Sequence, residues 1–388
     1  MKIDKIKVYS IKLPFSVDFS HSLRKRSSAK NIIVEVTARK GELIGYGEGA
    51  PRSYVTGETQ ESVTESLQNL ISRSEFPWEL NDVSQIWDFV DGLSGGKEQN
   101  AAICALETAL LDAFGQNRNK NVIDYFTKDF FAENVYYGAA IPLANRKRIL
   151  ESCQLIKKMA INTLRLKWGK NLEQNKEIIE TVHAEFDGDY DLRVDINCAW
   201  NGALALEHIP LIHKYKIKVV EQPMVPGNPD LADFGPLLRD AGVNLMADES
   251  ACTLKEVAQI TKEGHYNMIN VRLSKCGGFR NSFRIIDYLR KNRIPFQIGC
   301  QLGESGILSA AGRVLSLLCR DADYYDGSYD EFLLKENTTI DNVSFGPCGK
   351  AGPLEGIGLG VRVDPEQLVL LRNESDMLTV SKPNFSRR

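Results

Sequence analysis

Three acids each close a short hydrophobic run, at nearly equal spacing along the chain. They are Asp195 in Leu192-Arg193-Val194-Asp195, Glu221 in Val219-Val220-Glu221 and Asp248 in Leu245-Met246-Ala247-Asp248, and the gaps between them are 26 and 27 residues. A strand, a helix and two turns fill such a gap. Carboxylates at the same point of three consecutive β/α units converge at one end of a parallel barrel. Oxygen ligands gathered in that way suit a hard divalent cation such as Mg2+.

The surrounding pattern agrees with a barrel. Strand-like runs lie at Val135–Ile141, Thr163–Lys167, Leu192–Asn197, Val219–Glu221, Leu245–Asp248, Ile269–Leu273, Phe296–Gly299 and Tyr324–Asp326. Helical stretches such as Arg148–Met159, Gln174–Ala184 and Ser282–Lys291 fill the gaps. Eight strands with intervening helices favour a closed parallel barrel over an open sheet. The first third reads differently. Residues 1 to about 55 alternate as a meander of about three strands. A helix follows over Ala101–Phe114, with Ile103, Leu106, Ala109, Leu110 and Phe114 on one stripe and Gly115 placed to end it. The last 40 or so residues are rich in glycine and are expected to return to this N-terminal unit.

Barrel enzymes take their catalytic groups from the C-terminal ends of the strands. Here those ends carry, in order, Arg165 and Lys167, Asp195 and Asn197, Glu221, Asp248 and Glu249, Arg272, Gln301 to Ser305, and Asp326. Polar residues mark strand ends in any protein, which accounts for each position singly. It accounts poorly for three acids flanked by cations on both sides. Arg165 and Lys167 are two apart on one strand, so their side chains point the same way. A fixed cation beside it disfavours a second charge, which suits Lys167 to act as a base. The competing assignment for Lys167 is a structural ion pair with an adjacent ligand carboxylate.

Composition excludes several classes of partner. Lys plus Arg is 48 against 51 for Asp plus Glu, a net charge of −3, which gives no electrostatic reason to expect nucleic acid or an anionic membrane. No apolar run approaches the roughly 20 residues that span a bilayer, and Met1-Lys2-Ile3-Asp4 does not begin a signal peptide. Eight scattered cysteines without a zinc-type spacing suit a cytoplasmic protein with reduced thiols.

The segments Asp195-x-Asn197, Glu221-Gln222-Pro223, Asp248-Glu249-Ser250 and Gly277-Gly278, with Ile44-Gly45-Tyr46-Gly47-Glu48 and Gly57-Glu58-Thr59 upstream, resemble the enolase superfamily and, within it, the muconate lactonizing enzyme subgroup. The resemblance spans essentially the whole chain. It implies an α/β fold: a (β/α)7β TIM-like barrel over residues 131–350, and an α+β capping domain formed by residues 1–130 with the C-terminal segment 351–388. It implies one Mg2+ per subunit, with Mn2+ as a substitute, held by Asp195, Glu221 and Asp248 and steadied by Asn197 and Glu249. It implies removal of the proton α to a carboxylate of a small-molecule substrate, through an enediolate, with Lys167 as acid and base and Arg165 assisting. Relatives are commonly homo-oligomers. The resemblance also makes His21 and Arg24, with Arg26, residues of a loop over the site, and Glu304 and Asp326 residues that border the substrate.

Two departures bear on the reaction. The usual Lys-x-Lys of the second barrel strand is Arg165-Leu166-Lys167 here, a mild change. The second lysine expected five residues before Gly277 is Arg272, and arginine stays protonated in essentially all protein sites. Lys275 lies close, but its odd spacing from Arg272 turns it to the other face. A single lysine base favours a cycloisomerase or an o-succinylbenzoate-synthase-like elimination. The alternatives are a racemase or epimerase of an amino-acid derivative, and a silent carboxylate-binding relative. Dipeptide epimerases of the subgroup carry Asp-x-Asp at strand eight. The run Asp326-Gly327-Ser328 lacks the second acid, which counts against a dipeptide substrate.

Overall fold

The computed structural model describes residues 1–21, 24–93 and 95–382, with the side chains of 17–26 and 374–376 outside what is described. The chain begins with a long antiparallel hairpin, β1 (Ile3–His21) and β2 (Arg24–Ala38), followed by β3 (Leu43–Gly49). Three helices follow: α1 (Gln60–Ile71) and α3 (Asn100–Arg118) pack on this sheet, and α2 (Ser84–Asp91) packs on α3. The glycines of β3 set the closeness of that packing. Gly45, Gly47 and Gly49 share one face of the strand. A Cβ on any of them would come within 2.6 Å of the α3 backbone around Ala101, Ala105, Ala109 and Ala113. Small residues on both surfaces let helix and sheet meet. The helix does not stop at Gly115, as expected, but runs to Arg118 and caps at Asn119 in the left-handed region. Gly115 serves instead as a point of close approach: a Cβ there would sit 3.0 Å from Gly358 Cα.

A short strand β4 (Val135–Tyr136) precedes the barrel, whose parallel strands are β5 (Ala139–Ile141), β6 (Thr163–Lys167), β7 (Asp191–Asp195), β8 (Val219–Glu221), β9 (Asn244–Ala247), β10 (Met268–Arg272), β11 (Phe296–Gly299) and β12 (Tyr324–Tyr325). Seven helices alternate with them: α4 (Arg146–Lys158), α5 (Leu172–Phe186), α6 (Gly202–Lys214), α7 (Leu231–Asp240), α8 (Leu254–Glu263), α9 (Gly278–Asn292) and α10 (Gly306–Leu317). The short α11 (Asp330–Leu333) follows β12. The ring closes where Gly138 N donates to Tyr325 O at 2.9 Å. The first strand expected from the sequence is thus two strands. Val135–Tyr136 turns aside to pair with β13 (Lys350–Ala351), and only 139–141 enters the barrel. Gly138 marks the break, because a Cβ there would meet Arg193 Nη2 at 2.9 Å and Thr163 O at 3.0 Å.

The chain ends with α12 (Pro365–Leu371) and β14 (Arg372–Ser381). β14 pairs antiparallel with β1, so the cap sheet is built from both ends of the chain. The cap is fixed to the C-terminal end of the barrel by Glu48. Its buried carboxylate accepts from Ser305 N at 3.0 Å, Ser305 Oγ at 2.6 Å and Leu308 N at 2.9 Å, at the start of α10. An acid at a helix N-terminus meets free backbone N–H groups and the positive end of the dipole. A backbone bond from Lys335 N to Pro14 O, 2.9 Å long, ties the hairpin to the same end of the barrel. Among the described residues no helix is long and apolar enough to cross a membrane.

Candidate active site

Lys167, Asp195 and Glu221 are register neighbours at the C-terminal ends of β6, β7 and β8. Asp248 follows the last residue of β9. Parallel pairing in register carries the three side chains to one level, and all three acids are fully buried. The alternation of each strand explains their company: Arg165 lies two residues before Lys167, and Asn270 two before Arg272.

The site is a network of opposed charges. Lys167 Nζ pairs with Asp195 and donates to Asn197 Oδ1 at 2.9 Å. Arg165 lies 3.2 Å from Asp326 Oδ2, 3.6 Å from Glu221 Oε2 and 3.8 Å from Asp195 Oδ2. Across the ring, Arg272 Nη2 lies 3.2 Å from Glu221 Oε1 and 2.5 Å from Asp248 Oδ2. The second approach has ion-pair geometry without the angle of a hydrogen bond. Asn270 Nδ2 donates to Glu221 Oε1 at 2.7 Å. Burial opposes the Arg272 charge, yet Asp248, Glu221 and Glu249 outweigh it and hold the guanidinium above its ordinary value. Arg272 is therefore a fixed cation, as its residue type implies.

Asn197 and Glu249 stand behind the three acids. Asn197 N donates to Asp195 Oδ1 at 3.1 Å, and its Nδ2 to Glu249 Oε1 at 3.2 Å. Burial, then the charges of Asp248 and Asp195, push Glu249 up to about 8. Lys275 takes a structural place. It is fully buried and donates to Asp248 O at 2.8 Å, Asp248 Oδ1 at 3.0 Å and Asn270 O at 2.6 Å. The turn after β10 brings it back beneath Asp248, which simple strand alternation does not anticipate.

Asp326 was expected beside the substrate, and the structure uses it otherwise. Both of its oxygens accept from Arg193 at 3.0 Å, and Arg165 closes on the same carboxylate. It belongs to the barrel interior and holds the two arginines. Burial would raise its pKa, but Arg165 and Arg193 outweigh that and keep the carboxyl well below the usual carboxylate range. The position expected to carry a second acid, Ser328, accepts from Arg313 Nη2 at 3.0 Å. His21, Arg24 and Arg26 have side chains outside the described residues.

Glu304 does reach the site. A cavity of about 620 Å3 opens above the strand ends and is walled by Lys167, Arg165, Asn197, Arg272, Cys300 and Glu304 at its polar end. Leu143, Ile156, Met159, Phe332 and Phe345 wall the remainder. The turn before Glu304 is made by Gly303, whose φ is +78°. A Cβ there would strike Ala29 Cβ at 2.4 Å, so only glycine takes this turn beneath the cap. Glu304 Oε1 then accepts from Gln301 N at 2.6 Å. Burial raises its carboxyl to about 8.

Sequence reading gives no role to Gln222, Asn270 or Arg193. Gln222 Oε1 accepts from Asp248 N at 2.9 Å and Ser250 N at 3.1 Å, which locks the turn that presents Asp248. The available signal was adjacency: Gln222 follows Glu221, and Asn270 shares a strand face with Arg272. Arg193 had none, since its partner Asp326 is 133 residues away.

Among the described residues no three acid, histidine or cysteine side chains close on one point as a preformed metal cage. The acids lean on the intervening cations instead. The donor set still fits a hard divalent ion. Three buried carboxylates come from adjacent strands, and Glu221 Oε2 and Asp248 Oδ2 have no hydrogen-bond donor. Oxygen donors of this kind are what such an ion takes.

A family model described as enolase C-terminal domain-like matches residues 148–367. A hydrophobic dipeptide epimerase of Enterococcus faecalis is 27% identical over 315 residues, covering 80% of this chain and 86% of that protein. An N-succinyl-L-Arg/Lys racemase of Bacillus cereus is 27% identical over 313 residues, covering 80% of this chain and 83% of that protein. The crystal structure of N-succinyl Arg/Lys racemase from Bacillus cereus superposes with a TM-score of 0.86 at 24% identity, over 98% of this chain and 100% of the other. That of 2-chloromuconate cycloisomerase from Rhodococcus opacus gives 0.83 at 20% identity, over 96% and 100%. These two superpositions speak for the fold.

Proposed function

The chain belongs to the enolase superfamily, through its enolase C-terminal domain-like family, as an enzyme of isomerase or lyase type, and on that premise we propose that it inverts the α-carbon of an N-blocked amino acid. This reading takes the racemase or epimerase alternative over the one-base cycloisomerase or elimination that Arg272 alone favours. The relatives weigh for it: those matched over four fifths of the chain are epimerases and racemases of amino-acid derivatives. A free dipeptide is disfavoured, because Ser328 offers no acid for an N-terminal ammonium.

The observation that carries the reading is Lys167 facing the cavity between Arg165 and Asn197, opposite Arg272. β6 and β10 are four strands apart in the eight-stranded ring, so the two side chains approach a bound molecule from opposite sides. Asp195, Glu221 and Asp248 would hold Mg2+, which when bound supplies positive charge to the substrate carboxylate and to the enediolate. Lys167 removes the α-proton as general base; groups of this kind contribute about 10²–10⁴ in rate. Arg272 places a fixed positive charge against the developing anion in a site shielded from water. The apolar wall of Leu143, Ile156, Met159 and Phe345 receives the substrate's side chain or acyl group.

The test is a screen of N-acetyl and N-succinyl L-amino acids with the purified protein and magnesium, followed by chiral chromatography. Appearance of the D form supports the reading. Release of water or ring closure without inversion, across a panel that includes muconate and succinylbenzoate precursors, returns the assignment to a lyase or cycloisomerase.

A further inference from the structure

Inversion needs a proton donor on the face opposite Lys167, and the residue that stands there, Arg272, cannot supply one. Its guanidinium is bound to Glu221 and Asp248 and stays charged. We propose that Glu304 carries the proton on this second face, doing the work that a second lysine would otherwise do. The inference rests on the racemase reading above.

Several other titratable groups at or near the cavity wall are committed elsewhere or stand away from β10. Tyr329 donates its hydroxyl to Gly138 O at 2.6 Å. Asp330 accepts from Asn337 Nδ2 at 2.7 Å through one oxygen, and it follows β12, which lies two strands from β10 rather than next to it. The Cys300 thiol is pushed far up by burial, so it is not a base. Lys275 lies beneath Asp248 and is no part of the wall. Glu304 is the cavity-lining carboxyl on the loop after β11, the strand next to β10. A chain of contacts fixes it on the Arg272 side: Arg272 Nη1 donates to Gln301 Oε1 at 3.4 Å, and Gln301 N donates to Glu304 Oε1 at 2.6 Å. Oε1 is thereby anchored, which leaves Oε2 as the oxygen that works on the substrate.

Burial holds the Glu304 carboxyl at about 8. Near neutral pH it is protonated with its carboxylate form close at hand, the condition for giving and taking a proton. The step balances without a further reactant. In one direction the α-C–H bond breaks to the Lys167 amine, its electron pair enters the enediolate, and the Glu304 O–H delivers a proton to the opposite face of the α-carbon. Lys167 ends as ammonium and Glu304 as carboxylate. The reverse direction runs from that pair of states, so the two substrate enantiomers address the two residues separately.

The test is deuterium exchange at the α-carbon by proton NMR, using N-succinyl-L-phenylalanine and N-succinyl-D-phenylalanine as separate probes, in D2O with magnesium. Wild type exchanges both. Glu304→Gln, close in shape, loses exchange of one enantiomer by about 10²-fold or more and keeps the other, which also shows that the variant is folded. Lys167→Ala loses the opposite enantiomer. Glu304→Asp, which keeps the acid and shortens its reach, weakens the same enantiomer as Glu304→Gln. Loss of the same enantiomer in the Lys167 and Glu304 variants, full exchange of both by Glu304→Gln, or equal loss of both by Glu304→Asp overturns the role of Glu304. Absence of exchange in wild type on both probes and across the N-acyl panel overturns the racemase reading itself, and this proposal with it.

Discussion

The Arg272 guanidinium stands 2.5 Å from Asp248 Oδ2, where a lysine ammonium is expected to face the substrate. Charge remains at the position while proton transfer is lost. Arg272→Met would leave Asp248 and Glu221 short of their nearest cation in a buried site. Breaking a buried pair in this way costs about 3–5 kcal/mol. Urea unfolding measures it, and added magnesium should recover part of the deficit, because the metal neutralises the same two acids. A variant as stable as wild type without metal would show that the pair is not part of the folded state's charge balance.

Removing the base has a different signature. Lys167→Ala should lose about 10²–10⁴-fold in kcat/KM on an identified substrate, with magnesium still bound by calorimetry, since Lys167 offers the metal no oxygen. Near-full turnover by this variant would assign Lys167 to the structural ion pair alone.

Metal binding should stabilise the fold. If Asp195, Glu221 and Asp248 hold Mg2+ in the folded chain only, magnesium at 100 times its dissociation constant adds about 2.7 kcal/mol. Glu221→Gln or Asp248→Asn should abolish most of that increment in a thermal melt. An unchanged increment in both variants would place the ion elsewhere.

Asp326 gives a pH test of its revised role. Its native pKa is lowered below the ordinary carboxylate value of about 3.9. A lowered acid binds fewer protons in the folded state. Its stabilisation is therefore complete above that ordinary value and is lost as the pH falls towards the lowered one. The stability gap between wild type and Asp326→Asn should be about 3–5 kcal/mol near neutrality, and should narrow below about pH 4. A gap constant with pH would mean that Asp326 is not paired with Arg193 and Arg165.

The parts of this molecule legible in the sequence are those that repeat. Asp195, Glu221 and Asp248 could be placed because each ends an apolar run one β/α unit from the next, and Arg165 and Lys167 because two residues separate them on a strand. What was not legible depends on contacts distant in sequence or on turns. The pairing of Arg193 with Asp326 crosses the barrel interior, and the return of Lys275 under Asp248 follows from a turn with no period. Gly115 does not end α3 but makes room for Gly358, more than 200 residues later. The residue type of Arg272 pointed to one-face chemistry. The relatives weighed for inversion, and the left-handed turn at Gly303 precedes the cavity-lining Glu304, which no strand period anticipates.

The most direct measurement is solvent deuterium incorporation by the wild-type protein, with each enantiomer of a substrate from the N-acylamino-acid screen incubated separately in D2O with magnesium. The account predicts α-deuterium in both enantiomers together with their interconversion. Deuterium confined to one enantiomer, without interconversion, would contradict it and return the site to a single base at Lys167.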